Sequence, residues 1–202
     1  MGHVDQEYDN VNLEAIGPLP PSIDLGAYVL RALRRDDAAA WYAYLSDPHV
    51  TRLTSYDVRS IDAVHRMIDA YIEGYTRRCS NRWAIADATS DRLVGTCGFY
   101  AWDPGTAVAE LGYDLDRRSW GNGIMTRVVR AALQWGFGPL QADRVQATVM
   151  VGNLASVRVL EKCGFAYERW LPAHKICRGE PRDFWLFARH RQDVSSAVGA
   201  LL

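Results

Sequence analysis

What this chain lacks sets the first bounds. Cysteine is scarce, with four residues in 202: Cys79, Cys97, Cys163 and Cys177. No two of them form a CxxC pair, and His174 near Cys177 has no second pair with which to complete a zinc site. A cysteine-based metal module is therefore not expected, and the scattered thiols read as reduced core residues. An excess of charge of one sign is also missing. Lys plus Arg total 23 against 24 for Asp plus Glu, which leaves a net charge of −1 and a pI near 6.5. A nucleic-acid binder that relies on a basic field would show a pI above about 9. Long apolar runs are absent, and nothing approaches the roughly 18–20 residues of a membrane helix. The opening Met1-Gly2-His3-Val4-Asp5-Gln6-Glu7 is acidic and has no apolar segment of the signal-peptide kind. Gln6 stands where a myristoylation site needs Ser or Thr. These absences lead to the expectation of a soluble, cytoplasmic protein with neither nucleic acid nor membrane as partner.

What is present is globular. Hydrophobic residues make up 49% and charged residues 23%, too apolar for global disorder. Seven Trp and ten Tyr point to a ring-rich core or a ring-lined pocket. Residues 1–25 carry few periodic apolar positions and the breaker cluster Gly17-Pro18-Leu19-Pro20-Pro21, and read as an N-terminal extension. A single domain is expected over 26–191, with a short tail over 192–202. Within it, alternation predicts a strand over Ala27–Leu33, and Asp36 or Asp37 can cap a helix over Ala38–Leu45 that stops at Asp47-Pro48. Ser60 opens a second helix with Ile61, Val64, Ile68 and Tyr75 at helical spacing. Trp83–Ala86, Leu93–Tyr100 and Val108–Leu115 read as strands, with Leu111, Tyr113 and Leu115 on one face and Glu110, Gly112 and Asp114 on the other. A largely buried helix follows over Trp120–Phe137, then a strand Val145–Val151, a short helix Leu154–Lys162 capped by Asn153, and strands Phe165–Leu171 and Asp183–Arg189. Strands in succession imply antiparallel pairs, and the strand–helix–strand unit over 108–151 implies one parallel crossover. The expected fold is α/β of the α+β kind: a mixed, mostly antiparallel central sheet flanked by helices.

The chemistry concentrates in Leu115-Asp116-Arg117-Arg118-Ser119-Trp120-Gly121-Asn122-Gly123-Ile124-Met125. A strand ends, a loop with two glycines follows, and a buried helix starts. The first turn of a helix offers unpaired N–H groups and the positive end of the dipole, and glycines allow an anion close to those amides. A phosphate or pyrophosphate site follows, with Arg117 or Arg118 adding charge. A Walker loop is excluded by the missing Gly-Lys-Ser/Thr. The dinucleotide fingerprint is excluded by Thr126, where it needs a third glycine. A plain helix start remains open on two glycines alone.

Three ordered blocks carry a resemblance. Arg118-Ser119-Trp120-Gly121-Asn122-Gly123 resembles the (Arg/Gln)-x-x-Gly-x-(Gly/Ala) pyrophosphate loop of the GNAT superfamily of acyl-CoA-dependent N-acyltransferases. With Glu110-Leu111-Gly112-Tyr113 before it and Ile124-Met125-Thr126 after it, the run is similar to the branch that acetylates ribosomal-protein N-terminal alanines. Asn153-Leu154-Ala155-Ser156 with Glu161-Lys162-Cys163-Gly164-Phe165 resembles that branch's second CoA-side motif, and Leu30-Arg31-Ala32-Leu33-Arg34 with Asp36 its opening strand and helix cap. The match spans about residues 27–190.

The resemblance implies an acetyl-CoA site, no metal, and a pair of splayed strands that form the cleft. Arg118, Trp120, Gly121, Asn122, Gly123, Ile124 and Met125 would hold the pyrophosphate. The strand edge at Tyr113 and Leu115 would pair with the pantetheine amides. Asn153 and Ser156 would lie near the sulfur. The implied activity is acetyl transfer to a primary amine, a peptide or protein N-terminus or a small amine, by direct attack in a ternary complex. The alternative is a CoA-binding module with little turnover. Glu110 is the candidate base and Ser156 the candidate donor to the departing thiolate. Tyr56 and Trp102 are the candidates for the acceptor groove, each also a plausible packed ring. Two positions depart from the family: Leu160 stands where many members place a tyrosine acid, and Lys175, beside His174, where some of this branch carry a carboxylate. A homodimer stays open as an assembly.

Overall fold

A computed structural model describes residues 17, 19–103 and 105–193. Most of the expected N-terminal extension and nearly all of the 192–202 tail lie outside the described residues. Eight strands form one sheet: β1 (Ile23–Asp24), β2 (Tyr28–Ala32), β3 (Trp83–Asp87), β4 (Leu93–Asp103), β5 (Val108–Leu115), β6 (Arg144–Met150), β7 (Ala166–Cys177) and β8 (Glu180–His190). Their spatial order is β1-β2-β3-β4-β5-β6-β8-β7. Every neighbouring pair is antiparallel except β5 and β6, the parallel crossover expected from the strand–helix–strand unit.

Helices cover both faces. Alternate residues of β3 feed two separate cores. Ala84 packs with Trp41, Leu45, Val64 and Ile68 of α1 (Ala38–Leu45) and α3 (Ile61–Thr76). Trp83 and Ile85 pack with Val128, Ala132 and Trp135 of α4 (Ile124–Phe137) and Leu160 of α5 (Leu154–Lys162). The second core holds much of the ring excess: Trp135 meets Trp83 edge-on at 5.2 Å and stacks on Phe99 at 5.9 Å. Pair geometries of this kind add to the burial itself. Ser60 caps α3 by accepting from the Ala63 N–H at 3.3 Å, as its place before the helical spacing predicts.

Several boundaries differ from the sequence reading, each for a physical reason. Asp47-Pro48, expected to stop a helix, ends α1 and also opens the single turn α2 (Pro48–Thr51). Asp47 accepts from the His49 N–H at 2.8 Å, and Pro48 takes the first position, where no N–H is needed. Asp37 rather than Asp36 is buried, and Arg31 holds its carboxylate through two bonds of 2.8 and 2.9 Å instead of leaving it to cap α1. Strand β1 falls inside the expected extension, pairs with β2, and sits beside Pro21, whose carbonyl accepts from Trp83 Nε1 at 2.9 Å. Strands β7 and β8 run longer than alternation suggested. β7 is an edge strand with mostly exposed side chains and two register breaks, so it carries little burial pattern.

The feature that positions the site is a wedge. Parallel pairing of β5 and β6 stops at Glu110↔Gln146. Beyond it β5 stays paired to β4 as far as Leu115, and β6 stays paired to β8 as far as Met150. The two strands therefore part while each remains anchored on its far side. This is the splayed pair that the fold class requires.

Candidate active site

The wedge opens into a cavity of about 240 Å³. Leu111, Gly112 and Tyr113 of β5 form one wall, and Ala147, Thr148, Val149 and Met150 of β6 the other. Asn153 and Ser156 at the start of α5 close one side; Tyr56, Tyr71, Arg82, Tyr100, Lys175 and Phe184 surround the other. The β5 edge that faces β6 has no ladder partner beyond Glu110, so its amides there are open to an extended ligand.

At the end of β5 the chain enters the glycine loop. Gly121 and Gly123 both take left-handed backbone conformations, with φ of 79° and 69°. An added Cβ at either would meet nothing within 4 Å. The glycines are thus required by the backbone angle, and the space above the loop stays clear. Gly123 is the N-cap of α4 and offers no side-chain cap, which leaves the first amides of the helix to an outside acceptor. Asn122 braces the turn by donating to the Trp120 carbonyl at 3.2 Å. Trp120 folds back and donates from Nε1 to the Leu115 carbonyl at 3.0 Å. Of the two pairing positions expected on β5, Tyr113 lines the cavity and Leu115 lies at the end of the strand, where the chain enters the glycine loop. The helix expected from Trp120 begins at Ile124 because the two left-handed glycines break the α path before it. Ile124 and Met125 are buried, Arg118 is exposed, and all belong to this end.

Asn153 caps α5, accepting from the Ser156 N–H at 3.2 Å, and donates from Nδ2 to the Leu53 carbonyl at 3.3 Å. It therefore ties the loop after α2 to the cleft. Tyr113 reaches across from β5 and donates to the Ser156 carbonyl at 3.2 Å. Burial pushes the Tyr113 hydroxyl well up, so it stays protonated. Leu160, one turn further along α5, is fully buried in the core.

The opposite end is built from side chains of several elements. Arg82 and Asp114 pair at 2.6 Å, with side chains only 3% and 1% exposed. Asp114 also accepts from Tyr56 and Thr96, both at 2.7 Å, and from Tyr44. Arg82 further donates to Thr96 at 2.9 Å, to Tyr56 at 3.0 Å and to the Gly112 carbonyl at 3.2 Å. Burial works against its cation, and Tyr56, Tyr71 and Asp114 outweigh that, holding it above its ordinary value. A buried pair needs this degree of hydrogen bonding to offset its desolvation. Glu110 does not line the cavity. Its carboxylate accepts from Tyr100, whose ring does. Lys175 donates to Thr148 Oγ1 at 3.2 Å and to Tyr100 at 3.4 Å, with its ammonium over the rings of Tyr100 and Phe184 at 5.3 and 5.5 Å.

Of the two expected acceptor residues, Tyr56 is in the cavity and Trp102 is not. Trp102 is buried against Trp135 at 5.9 Å. A bulge between Phe99 and Ala101 breaks the alternation of β4 and turns Trp102 toward α4. His174 is exposed and packs on Phe184 at 5.6 Å. Sequence reasoning missed Tyr71, Arg82, Tyr100 and Phe184. The alternation that pairs Asp114 with Glu110 on one face was its only pointer to them. Among the described residues no group of three or more His, Cys, Asp and Glu could hold a metal ion, and no helix is long and apolar enough to cross a membrane.

A mixed sheet split at its one parallel pair, with a glycine-bent loop leading from the split into an uncapped helix, defines an acyl-CoA-dependent acyltransferase. The chain belongs to the GNAT acetyltransferase family: the Acetyltransferase (GNAT) domain matches residues 28–166. An uncharacterized N-acetyltransferase, p20 of Bacillus licheniformis, is 32% identical over 171 residues, which cover 82% of this chain and 94% of that protein. The structure of a ribosomal-protein-alanine acetyltransferase from Vibrio fischeri superposes with a TM-score of 0.75 at 21% identity, covering 86% of this chain and 98% of that one. RimL, a ribosomal α-N-protein acetyltransferase in complex with coenzyme A, gives 0.75 at 22% identity, covering 84% and 98%. The protein is an N-acetyltransferase, and acetyl-CoA is its acyl donor. The residues fit that donor: the uncapped first turn of α4, the clear space over Gly121 and Gly123, and the unpaired β5 edge are what a pyrophosphate followed by two amides requires.

Proposed function

We propose that the protein acetylates a primary amine, either a peptide or protein N-terminal α-amine or a small amine, by direct attack with donor and acceptor bound together. The observation that carries this reading is the two-ended cavity. One end is lined by the unpaired Tyr113 edge of β5 and by Asn153 and Ser156, the other by Tyr56, Tyr71, Tyr100 and Phe184, within a single cavity, and β5 runs on from it into the glycine loop. Acetyl-CoA supplies the thioester when bound; one N–C bond forms, one C–S bond breaks, one proton leaves nitrogen and one is delivered to sulfur.

The residues divide that work. Arg118, Trp120, Gly121, Asn122, Gly123, Ile124 and Met125 hold the phosphates, chiefly through backbone amides. The Tyr113–Leu115 edge of β5 holds the pantetheine arm and turns N–H groups toward the carbonyl as it gains charge. Ser156, fixed by the Asn153 cap, is the hydroxyl donor to sulfur. It stands in for the tyrosine that Leu160 replaces. Glu110 acts through Tyr100: a proton taken up at the Tyr100 oxygen passes on to the carboxylate that the hydroxyl already contacts. Burial, and then Glu110 beside it, raises the Tyr100 hydroxyl well above its ordinary value, which suits a relay better than a free base. Tyr56 positions the acceptor. The test is release of free thiol from acetyl-CoA across a panel of peptides and small amines. Amine-dependent release with an acetylated product supports the reading. Tight CoA binding with no release on any amine favours a CoA-binding module.

A further inference from the structure

The acceptor end carries a charge pattern that the proposed reaction does not explain. Eighteen residues line the cavity; the charged ones among them are Arg82 and Lys175, and neither Asp nor Glu is present. The two cations are not equivalent. Arg82 is neutralised from behind by Asp114 at 2.6 Å and engages Thr96, Tyr56 and the Gly112 carbonyl. Lys175 is half-buried, and among the described residues no carboxylate pairs with it. Its neighbours are neutral: Thr148, Tyr100 and the faces of Tyr100 and Phe184. Glu110 is one hydrogen bond further away and is engaged by the Tyr100 hydroxyl.

An ammonium lodged among rings without a counter-ion is costly unless something supplies the missing charge. Two of its three N–H donors have partners, and it borders the cavity wall. The groups that contact it are Tyr100 and, through it, Glu110, together with Phe184 and Thr148, and Arg182 is its cross-strand neighbour on β8. Glu110 is the nearby anion, and its carboxylate is engaged by the Tyr100 hydroxyl; no Asp or Glu lines the cavity itself to repel an anion entering from it. By contrast, a polycationic amine would have to bring a second ammonium toward Lys175 and Arg82 with no carboxylate on the wall to receive it.

We propose that the acceptor is a small primary amine that also carries a carboxylate and an apolar body, as an amino acid does, and that Lys175 binds the carboxylate. The body lies against Tyr56, Tyr71, Tyr100 and Phe184. The same cation disfavours protonation of the bound amine and so favours the form that attacks. This inference rests on the acetyl-transfer reading above and names its substrate class.

The test uses the full-length protein, acetyl-CoA and matched acceptors: leucine and phenylalanine, their α-carboxamides, and the corresponding decarboxylated amines. The expected result is a kcat/KM for the acids about tenfold or more above both neutral partners, as for a charge-assisted hydrogen bond. Lys175→Met should erase that preference, mainly through KM, while CoA binding by calorimetry is retained; Lys175→Arg should restore most of it. Binding of N-acetylphenylalanine to the wild type in the presence of CoA, measured against its amide, gives a readout independent of turnover and of any folding defect in a variant. Equal or better use of the amides or decarboxylated amines by the wild type, or an unchanged preference in folded Lys175→Met, overturns the carboxylate assignment and leaves acetyl transfer standing. No thiol release on any acceptor overturns the parent reading, and this one with it.

Discussion

The two ends of the cleft are built by opposite means. The proposed donor end is made of backbone: two left-handed glycines, an uncapped helix turn and an unpaired strand edge, with Asn122 and Trp120 as braces. The proposed acceptor end is made of side chains from several elements and the segments between them. Arg82 precedes β3, Thr96 and Tyr100 lie on β4, Asp114 on β5, Tyr44 on α1, Tyr71 on α3, Thr148 on β6, and Tyr56 in the loop before α3. A ligand end with invariant chemistry, such as a pyrophosphate, can be met by main-chain amides that any sequence supplies once the turn is made. An end that selects among acceptors must differ from one protein to the next, and only side chains do that. The difference predicts that damage at the two ends will look different.

The largest effect belongs to the side-chain end. Arg82→Leu leaves Asp114 buried without its cation and should cost about 3–5 kcal/mol of stability. A calorimetric melt should fall by about 10 °C. Pairing it with Asp114→Leu should recover much of the loss, because the uncompensated charge is gone. A single variant as stable as the wild type would mean that the network is ornamental.

Next comes the backbone end, where the fold should survive. Gly121→Asp places a negative side chain at the proposed phosphate site and should weaken CoA binding about a hundredfold or more, as read by titration calorimetry. The strained φ of 79° costs only about 1 kcal/mol, so the melt should move by a few degrees. Undiminished CoA affinity would remove the loop from the donor site.

The contrast between the ends also explains how far the residues could be read from the chain alone. The glycine loop, the helix after it and the Asn153 cap are contiguous, and contiguous features leave local signals: a glycine pair, an N-cap residue, an apolar helix face. The parallel crossover followed from the order of elements. The acceptor end left no such signal, because Arg82, Tyr100, Asp114 and Lys175 become neighbours only when the sheet assembles. Trp102 shows the same limit. Whether it faced the cleft or the core depended on one bulge at Tyr100, which period-2 alternation does not reveal. Edge strand β7 was read short because an exposed strand needs no burial pattern.

A smaller effect is expected where the two ends meet. Ser156→Ala removes the proposed donor to sulfur without touching the Asn153 cap or the bond from Tyr113, both of which use Ser156 main chain. It should lower kcat by about tenfold or more and leave CoA affinity within about twofold. Equal losses in both would make Ser156 a binding residue only. The smallest effect concerns the thiols. Burial pushes Cys97 up to about 12, so at pH 8 it is almost wholly protonated as well as enclosed. Alkylation of the native protein followed by mass spectrometry should label exposed Cys79 and spare Cys97, and unfolding should expose both. Labelling of native Cys97 at the rate of Cys79 would show that the sheet beside the wedge opens.

The central claim is that one continuous cleft holds donor and acceptor at once, and initial rates test it directly. Thiol release is measured over a grid of acetyl-CoA and amine concentrations, with the acetylated product identified by mass. The two-ended cleft predicts double-reciprocal lines that intersect, because both substrates are bound before the acetyl group moves. Parallel lines, or an acetylated protein isolated after incubation with acetyl-CoA alone, would contradict it.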